Sequence, residues 1–127
     1  MKYIFLLTGL LIATAVSSQT MDCKKFRNGK FRIIDASAGN TTLIRKGNRQ
    51  TEIVDMTGKK YTFKVTWISD CTYALSPLKA HKQKNNSDPD DTVVTVVIVE
   101  TKENSYMIEA SSGANTKVYR NEVIRID

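Results

Sequence analysis

Residues 60–78 alternate between large apolar and polar side chains, and this alternation constrains the fold more than any other feature of the chain. On the first half of the stretch the apolar side chains come at every second position, as on one face of a strand: Tyr61, Phe63, Val65 and Trp67. After a short polar pair that favours a turn, the alternation resumes as far as Pro77, which has no N–H for a ladder. The stretch therefore predicts a β-hairpin in which Phe63, Trp67 and Tyr73 form one apolar cluster.

The first 18 residues have the three parts of a secretory signal peptide. Lys2 supplies a positive charge, residues 3–16 form an apolar run, and residues 17–19 offer small side chains for cleavage. The run is shorter than the roughly 20 apolar residues that a retained membrane anchor needs. We therefore predict a signal-peptide helix over residues 1–18, export to the periplasm or the medium, and a single domain over residues 19–127.

The chain contains two cysteines, Cys23 and Cys71. An even pair in a chain sent to an oxidising compartment favours a disulfide. The alternative is a catalytic or metal-binding thiol, but the sequence has no CxxC motif and its one histidine, His81, lies elsewhere. We predict a Cys23–Cys71 disulfide that ties the N-terminal segment to the hairpin.

Further alternating runs extend this hairpin into an antiparallel meander. We predict additional strands over residues 29–35, 41–46, 49–55, 92–100, 105–111 and 117–126. The run 92–100 is apolar on both faces, which predicts a central strand buried on both sides, and the last run predicts a bulge near Asn121. Because no segment keeps a helical apolar period, we predict an all-β fold of seven or eight strands. They form a small barrel or a strongly curved, lipocalin-like sheet, with a sandwich as the alternative.

The formal net charge of +6 is distributed unevenly along the chain. Residues 24–84 contain 14 Lys and Arg against 4 Asp and Glu, whereas residues 85–127 contain 4 against 8. A basic surface attracts anionic glycans or lipid head groups, so an anionic envelope component is a candidate partner, and nucleic acid is not expected. The alternative is that the strands carry Lys and Arg on solvent-facing sides, which also protects exposed edges.

Four features of the mature chain carry a family resemblance: a Cys shortly after the signal, FRNGKF at 26–31, RKGNRQTE at 45–52 and VTWISDCTYAL at 65–75. Together they resemble small secreted β-proteins of Bacteroidetes-type bacteria, and W-I-S-D-C-x-Y is the most specific part. The resemblance covers nearly the whole mature chain and implies export, an all-β fold and the Cys pair, but no activity. Some members carry a topoisomerase label, which we exclude because this length has no room for an ATPase or a DNA-cleaving domain.

The polar loop 79–91 holds the few residues with metal-binding or catalytic potential. His81 lies among lysines, which disfavour its protonation, and no second His or free Cys completes a metal site or a nucleophile–base pair. Three carboxylates of this loop offer the kind of oxygen ligand that calcium prefers: Asp88, Asp90 and Asp91. Their spacing departs from that of an EF-hand, so a solvated acidic loop is the alternative. Thr92 lies in an Asp-Thr-Val triplet that resembles an O-glycosylation signal of exported proteins in such bacteria.

These observations predict an exported, non-catalytic β-domain that needs no cofactor. In the first hypothesis Phe63, Trp67 and Tyr73 line a barrel mouth and bind a small apolar or amphipathic ligand, the alternative being that they are plain core. The second hypothesis is a protein-interaction or inhibitor module that acts through the 79–91 loop or an open sheet edge. A hydrolase would need a nucleophile elbow or paired carboxylates, and the sequence shows neither.

Overall fold

The computed structural model describes residues 20–36, 39–78, 93–113 and 117–127, and these form an eight-stranded antiparallel barrel. The strands are β1 (Gly29–Asp35), β2 (Gly39–Lys46), β3 (Arg49–Val54), β4 (Lys60–Ser69), β5 (Thr72–Pro77), β6 (Val94–Thr101), β7 (Ser105–Ser112) and β8 (Val118–Arg125). Each strand pairs with the next one along the chain, and β8 pairs with β1 to close the ring. The predicted all-β meander is therefore confirmed, with eight strands and in its barrel form.

A short 3-10 turn plugs one end of the barrel. This turn, Lys24–Phe26, precedes β1 and lies at the end where β2 turns into β3, β4 into β5 and β6 into β7. Phe26 is fully buried, with its ring 4.8 Å from that of Tyr106. From the last residue of β8, the guanidinium of Arg125 lies over the Phe26 ring and donates to the carbonyl of Lys25. We call this the plugged end and the opposite one the distal end. No helix in the described ranges is long and apolar enough to cross a membrane.

A disulfide fastens the plug to the β4–β5 turn. Cys23 comes directly before the 3-10 turn, and Cys71 lies between β4 and β5, with a Cα–Cα distance of 5.3 Å. The two sulfur atoms are bonded at 2.02 Å across a sequence separation of 48 residues. The predicted Cys23–Cys71 disulfide is confirmed.

The barrel has a single interior, and the buried apolar side chains of the strands point into it. β6 demonstrates this, because Val96 and Ile98 point inward and are buried, whereas Val97 and Val99 are 37 % and 40 % exposed. The prediction that both faces of this strand are buried is therefore wrong. The prediction that the strand is central is also wrong, because a closed ring gives every strand two neighbours and one face toward solvent.

Bulges interrupt the register in two places, between Trp67 and Ser69 in β4 and between Ile98 and Glu100 in β6. Both lie toward the plugged end, and bulges allow strands to bend at the rim of a barrel. The predicted bulge near Asn121 is wrong, since the β7–β8 register runs through that residue without a shift. Asn121 keeps the alternation of the strand and is only partly buried, so its polarity is tolerated without breaking the ladder.

Candidate functional site

The three aromatic residues predicted to bind a ligand belong to one apolar cluster, as predicted, but lie at different heights of the barrel. Trp67 and Tyr73 are Cα partners with ring centroids 4.7 Å apart, and both lie next to the β4–β5 turn at the plugged end. Phe63 lies four residues earlier on β4, toward the distal end and opposite Pro77. Tyr73 is 1 % exposed, so its ring belongs to the core, whereas Phe63 is only partly buried. A role for these rings in binding a ligand stays a prediction.

The candidate residues of the polar loop lie outside the described part of the chain: His81, Asp88, Asp90, Asp91 and Thr92. The calcium and glycosylation hypotheses therefore stay predictions. Within the described ranges, no three His, Cys, Asp or Glu side chains come together in a way that could hold a metal ion.

A buried arginine organises the interior at the plugged end. Arg45, near the end of β2, is 1 % exposed. Its Nη1 donates to the carbonyl of Phe26 at 2.7 Å, and its Nη2 donates to the hydroxyls of Tyr73 at 3.1 Å and Tyr106 at 2.9 Å. The guanidinium carbon also lies 4.8 Å from the centroid of the Tyr73 ring, within the range of a cation–π contact. A buried charge is tolerated only when its donors are satisfied in this way.

A directed pair of hydrogen bonds leads from this arginine to a carboxylate. Arg45 Nε donates to Gln50 Oε1 at 2.9 Å, and Gln50 Nε2 donates to Glu52 Oε1 at 2.9 Å. The β2–β3 register places Arg45 opposite Gln50, and Glu52 follows two residues later on the same inward face. Within the described residues Gln50 is the only side chain that donates to the Glu52 carboxylate, and it does so to Oε1, so Oε2 can accept from another group. We call these three residues with Tyr73 and Tyr106 the Arg45 network.

Burial and the neighbouring groups together set the protonation of the residues in this network. It raises the pKa of Glu52 above the ordinary value of 4.5, although the hydrogen bond from Gln50 and the charge of Arg45 each lower it. Burial also raises the pKa of Tyr73 far above its usual range, so the hydroxyl keeps its proton. For Arg45 burial lowers the pKa, but Tyr73, Tyr106 and Glu52 together raise it by more, so the guanidinium stays charged. The network thus holds one fixed positive charge and one carboxyl whose pKa is raised by burial.

Replacing Glu52 with Gln is expected to stabilise the protein more at neutral pH than at acidic pH. The pKa of Glu52 is raised on folding, so its contribution to stability is full below the unfolded value of 4.5. That contribution is lost as the pH rises through the folded pKa. Glu52→Gln does not titrate and still accepts from Gln50. Urea unfolding of both proteins should give a free-energy difference that increases in favour of the variant from about pH 4 to about pH 7.

Glu122→Gln provides a control in which the same substitution has the opposite expected slope. Hydrogen bonds from Lys102 and Ser105 lower the pKa of Glu122, so the folded state favours its charged form. Its contribution to stability is present above 4.5 and is lost as the pH falls through the folded pKa. The free-energy difference should therefore turn against Glu122→Gln as the pH rises. Parallel slopes for the two variants would contradict the buried position of Glu52.

The inner face changes character beyond the Arg45 network. Four partly buried apolar side chains pack against the core from inward positions closer to the distal end: Ile33, Phe63, Val94 and Ala110. Phe63 is the Cα partner of Gln50, and Glu52 lies two residues further along β3, diagonally across from this ring. An apolar wall with one carboxylate thus lies beyond the buried Arg45 network, which is itself surrounded by aromatic rings. We call these four residues and Glu52 the inner wall.

A groove on the outer surface is separate from this interior. It measures about 580 Å³ and lies between residues 20–25 and 99–103, near the plugged end. It is lined by charged and polar side chains for the most part, and the backbone N–H of Asp22 donates to Thr101 Oγ1 at 3.1 Å beside it. None of its lining residues belongs to the Arg45 network or the inner wall, so it does not form part of the candidate site.

Comparison with known proteins gives no match. Neither family models, nor curated proteins, nor solved structures resemble the chain significantly. The resemblance to secreted Bacteroidetes-type proteins therefore stays a prediction. A function has to be inferred from the residues of the barrel.

Sequence reasoning missed all three residues that connect the buried charge to the inner wall, namely Arg45, Gln50 and Glu52. A signal was present, because a two-residue turn at 47–48 sets the register of the hairpin and places Arg45 opposite Gln50. Arg45 is in phase with Leu43, which is buried, and Glu52 is the Cα partner of Leu43. The turn alone predicts that these side chains share a face, and the structure adds that this face, with Leu43, is the inner one.

Proposed function

We propose that this chain is an exported, non-catalytic binding protein that holds a small amphipathic ligand along the inner wall of its barrel. The observation that carries the proposal is the change along the interior, from the buried Arg45 network to the partly exposed apolar side chains of the inner wall. Eight-stranded barrels are wide enough either to be filled by side chains or to hold one small ligand. The partial exposure of the inner wall supports the second possibility for the distal half.

The chemistry of the inner wall favours a ligand with an apolar body and a hydrogen-bond-donating head. Ile33, Phe63 and Val94 offer hydrocarbon surface, which gains free energy when a ligand removes it from water. Glu52 is the polar group among them, and its second oxygen can only accept unless the carboxyl is protonated. An amine or a hydroxyl meets this requirement, whereas a carboxylate head would be repelled by the charged form.

The disulfide supports the exported location. Disulfides persist in oxidising compartments and are rare in the cytosol. The Cys23–Cys71 bond is consistent with a periplasmic or extracellular barrel. The sheet edge that an interaction module would use is occupied, since each of the eight described strands pairs on both sides. This favours the interior over an edge as the binding surface.

Native mass spectrometry of the protein purified from its own host is expected to show a bound small molecule. The same protein, after removal of that molecule, is expected to bind a linear alkylamine more tightly than the alkanol and the alkanoate of equal chain length. Phe63→Ala should weaken binding of the alkylamine about tenfold or more, the cost of losing a large apolar contact. Isothermal titration calorimetry measures each affinity.

Ile68→Ala is the matched control, because Ile68 also lies on β4 but is 63 % exposed. The Ile68→Ala variant should bind the alkylamine with the affinity of the parent protein. Thermal unfolding should confirm that Phe63→Ala and Ile68→Ala both fold. Equal affinities for Phe63→Ala and the parent, or a preference for the alkanoate, would overturn the proposal.

A further inference from the structure

Three exposed cations form a row across the outer face of β2, β3 and β4. Lys46 is the Cα partner of Arg49, and Arg49 is the Cα partner of Lys64. Residues that face each other directly in an antiparallel pair have Cβ atoms about 5 Å apart, and like charges there repel and destabilise the sheet. We call these three residues the cation row. An anion in front of it would relieve this repulsion.

The cation row has no carboxylate partner in the described part of the chain. Several other surface cations there do have one: Arg32 pairs with Asp55, Lys102 with Glu122 and Arg120 with Glu109. The outward positions of β2, β3 and β4 carry no Asp or Glu. Lys30 extends the positive charge onto β1, since it is the Cα partner of Ile44, two residues from Lys46. This face of the barrel is therefore complementary to a negatively charged surface.

Exposed isoleucines lie on the same face. Ile44 precedes Lys46 by two residues on β2 and is 39 % exposed, and Ile68 follows Lys64 by four residues on β4 and is 63 % exposed. Phosphate or sulfate groups of a soluble polyanion would contact the lysines but leave these side chains in water. A bilayer offers both anionic head groups for Lys and Arg and an apolar boundary for aliphatic side chains.

We propose that the outer face of β2–β4 docks on an anionic lipid surface. The cation row provides the electrostatic attraction, and the isoleucines around it enter the boundary between head groups and acyl chains. This surface is on the outside of the barrel, so the proposal does not depend on a ligand inside. A protein that binds no amphiphile can still dock, and one that docks can still have an empty interior.

Vesicle co-sedimentation of the processed, exported protein tests this docking. The protein is expected to bind vesicles of phosphatidylcholine mixed with phosphatidylglycerol, to release them as salt is added, and not to bind phosphatidylcholine alone. Each Lys or Arg near an anionic membrane contributes about 1 kcal/mol, so removing three should weaken binding roughly a hundredfold. The variant that removes them combines three substitutions: Lys46→Gln, Arg49→Gln and Lys64→Gln.

The matched control removes the same net charge from other parts of the surface, at cations that have carboxylate partners: Lys24→Gln, Lys102→Gln and Arg120→Gln. It should keep vesicle affinity to within about fivefold of the parent, because net charge alone acts weakly through salt. An equal loss in both variants would overturn the proposal.

Ile44→Ser should weaken vesicle binding but not binding to dextran sulfate. Unchanged vesicle binding by Ile44→Ser would overturn the lipid assignment in favour of an anionic polymer.

Discussion

Arg45→Ala is expected to lower the free energy of unfolding by about 3–5 kcal/mol, because it truncates a large buried side chain and leaves several hydrogen-bond partners unpaired. The substitution leaves the carbonyl of Phe26 and the side chain of Gln50 without their partner inside the barrel. Unsatisfied buried polar groups cost about 1–3 kcal/mol each, and the space of a large side chain is also left empty. Against a total stability of roughly 5–15 kcal/mol this is a large effect. Urea unfolding, followed by circular dichroism, measures it.

Two further proteins make this prediction specific. Arg49→Ala removes the same side chain type from an exposed position on the next strand and should change stability by no more than about 0.5 kcal/mol. A triple variant removes the charge and two of its acceptors together: Arg45→Met, Tyr73→Phe and Tyr106→Phe. It should recover part of the loss, because apolar groups of similar shape leave fewer unpaired polar groups than a single truncation does. Equal stabilities of Arg45→Ala and Arg49→Ala would show that the network does not stabilise the plugged end.

The elements that depend on neighbouring residues could be predicted from the sequence. The β4–β5 hairpin follows from alternation over residues 60–78, and β1 occupies the predicted residues 29–35. Gly47 begins the β2–β3 turn with a φ of 60°, which a two-residue hairpin turn with glycine at its first central position requires. The disulfide followed from counting Cys23 and Cys71 in a chain predicted to be exported. For the hairpin, for β1 and for the turn, the deciding information lies within a few neighbouring residues. For the disulfide it lies in the even number of cysteines.

The interior could not be predicted in the same way, because β2 offers two phases of similar polarity. Leu43 and Arg45 share one face, and Ile44 and Lys46 share the other, so each face has one aliphatic and one cationic side chain. Alternation alone does not decide which face is inside. The structure decides it through the β1–β2 register, which places Leu43 opposite the buried Phe31 on the inner face of the closed ring. Closure also explains why an apolar outer face on β6 remained exposed, since the inside of a barrel has room for one face of each strand.

Replacement of both cysteines by alanine is expected to lower the free energy of unfolding by about 2–5 kcal/mol. The bond joins residues 48 positions apart, and in the chain-entropy account a closed loop of that length contributes about 4 kcal/mol through the unfolded state. The same bond holds the plug in the folded state, because Cys23 directly precedes the 3-10 turn that carries Phe26. Limited proteolysis should therefore cleave residues 20–28 of the double variant sooner than those of the parent protein.

Reduction of the parent protein provides an independent check on the same bond. Dithiothreitol should lower the urea midpoint of the parent to that of the double alanine variant and leave the variant itself unchanged. The plug also supplies the Phe26 carbonyl, which accepts from Arg45 Nη1. If the plug leaves the barrel, the charged guanidinium of Arg45 therefore loses this partner and becomes exposed to solvent. For that reason the cost of Arg45→Ala should be smaller in the double alanine background than in the parent, as coupled sites require. Additive losses would contradict the inference that the disulfide and the Arg45 network stabilise the plugged end jointly.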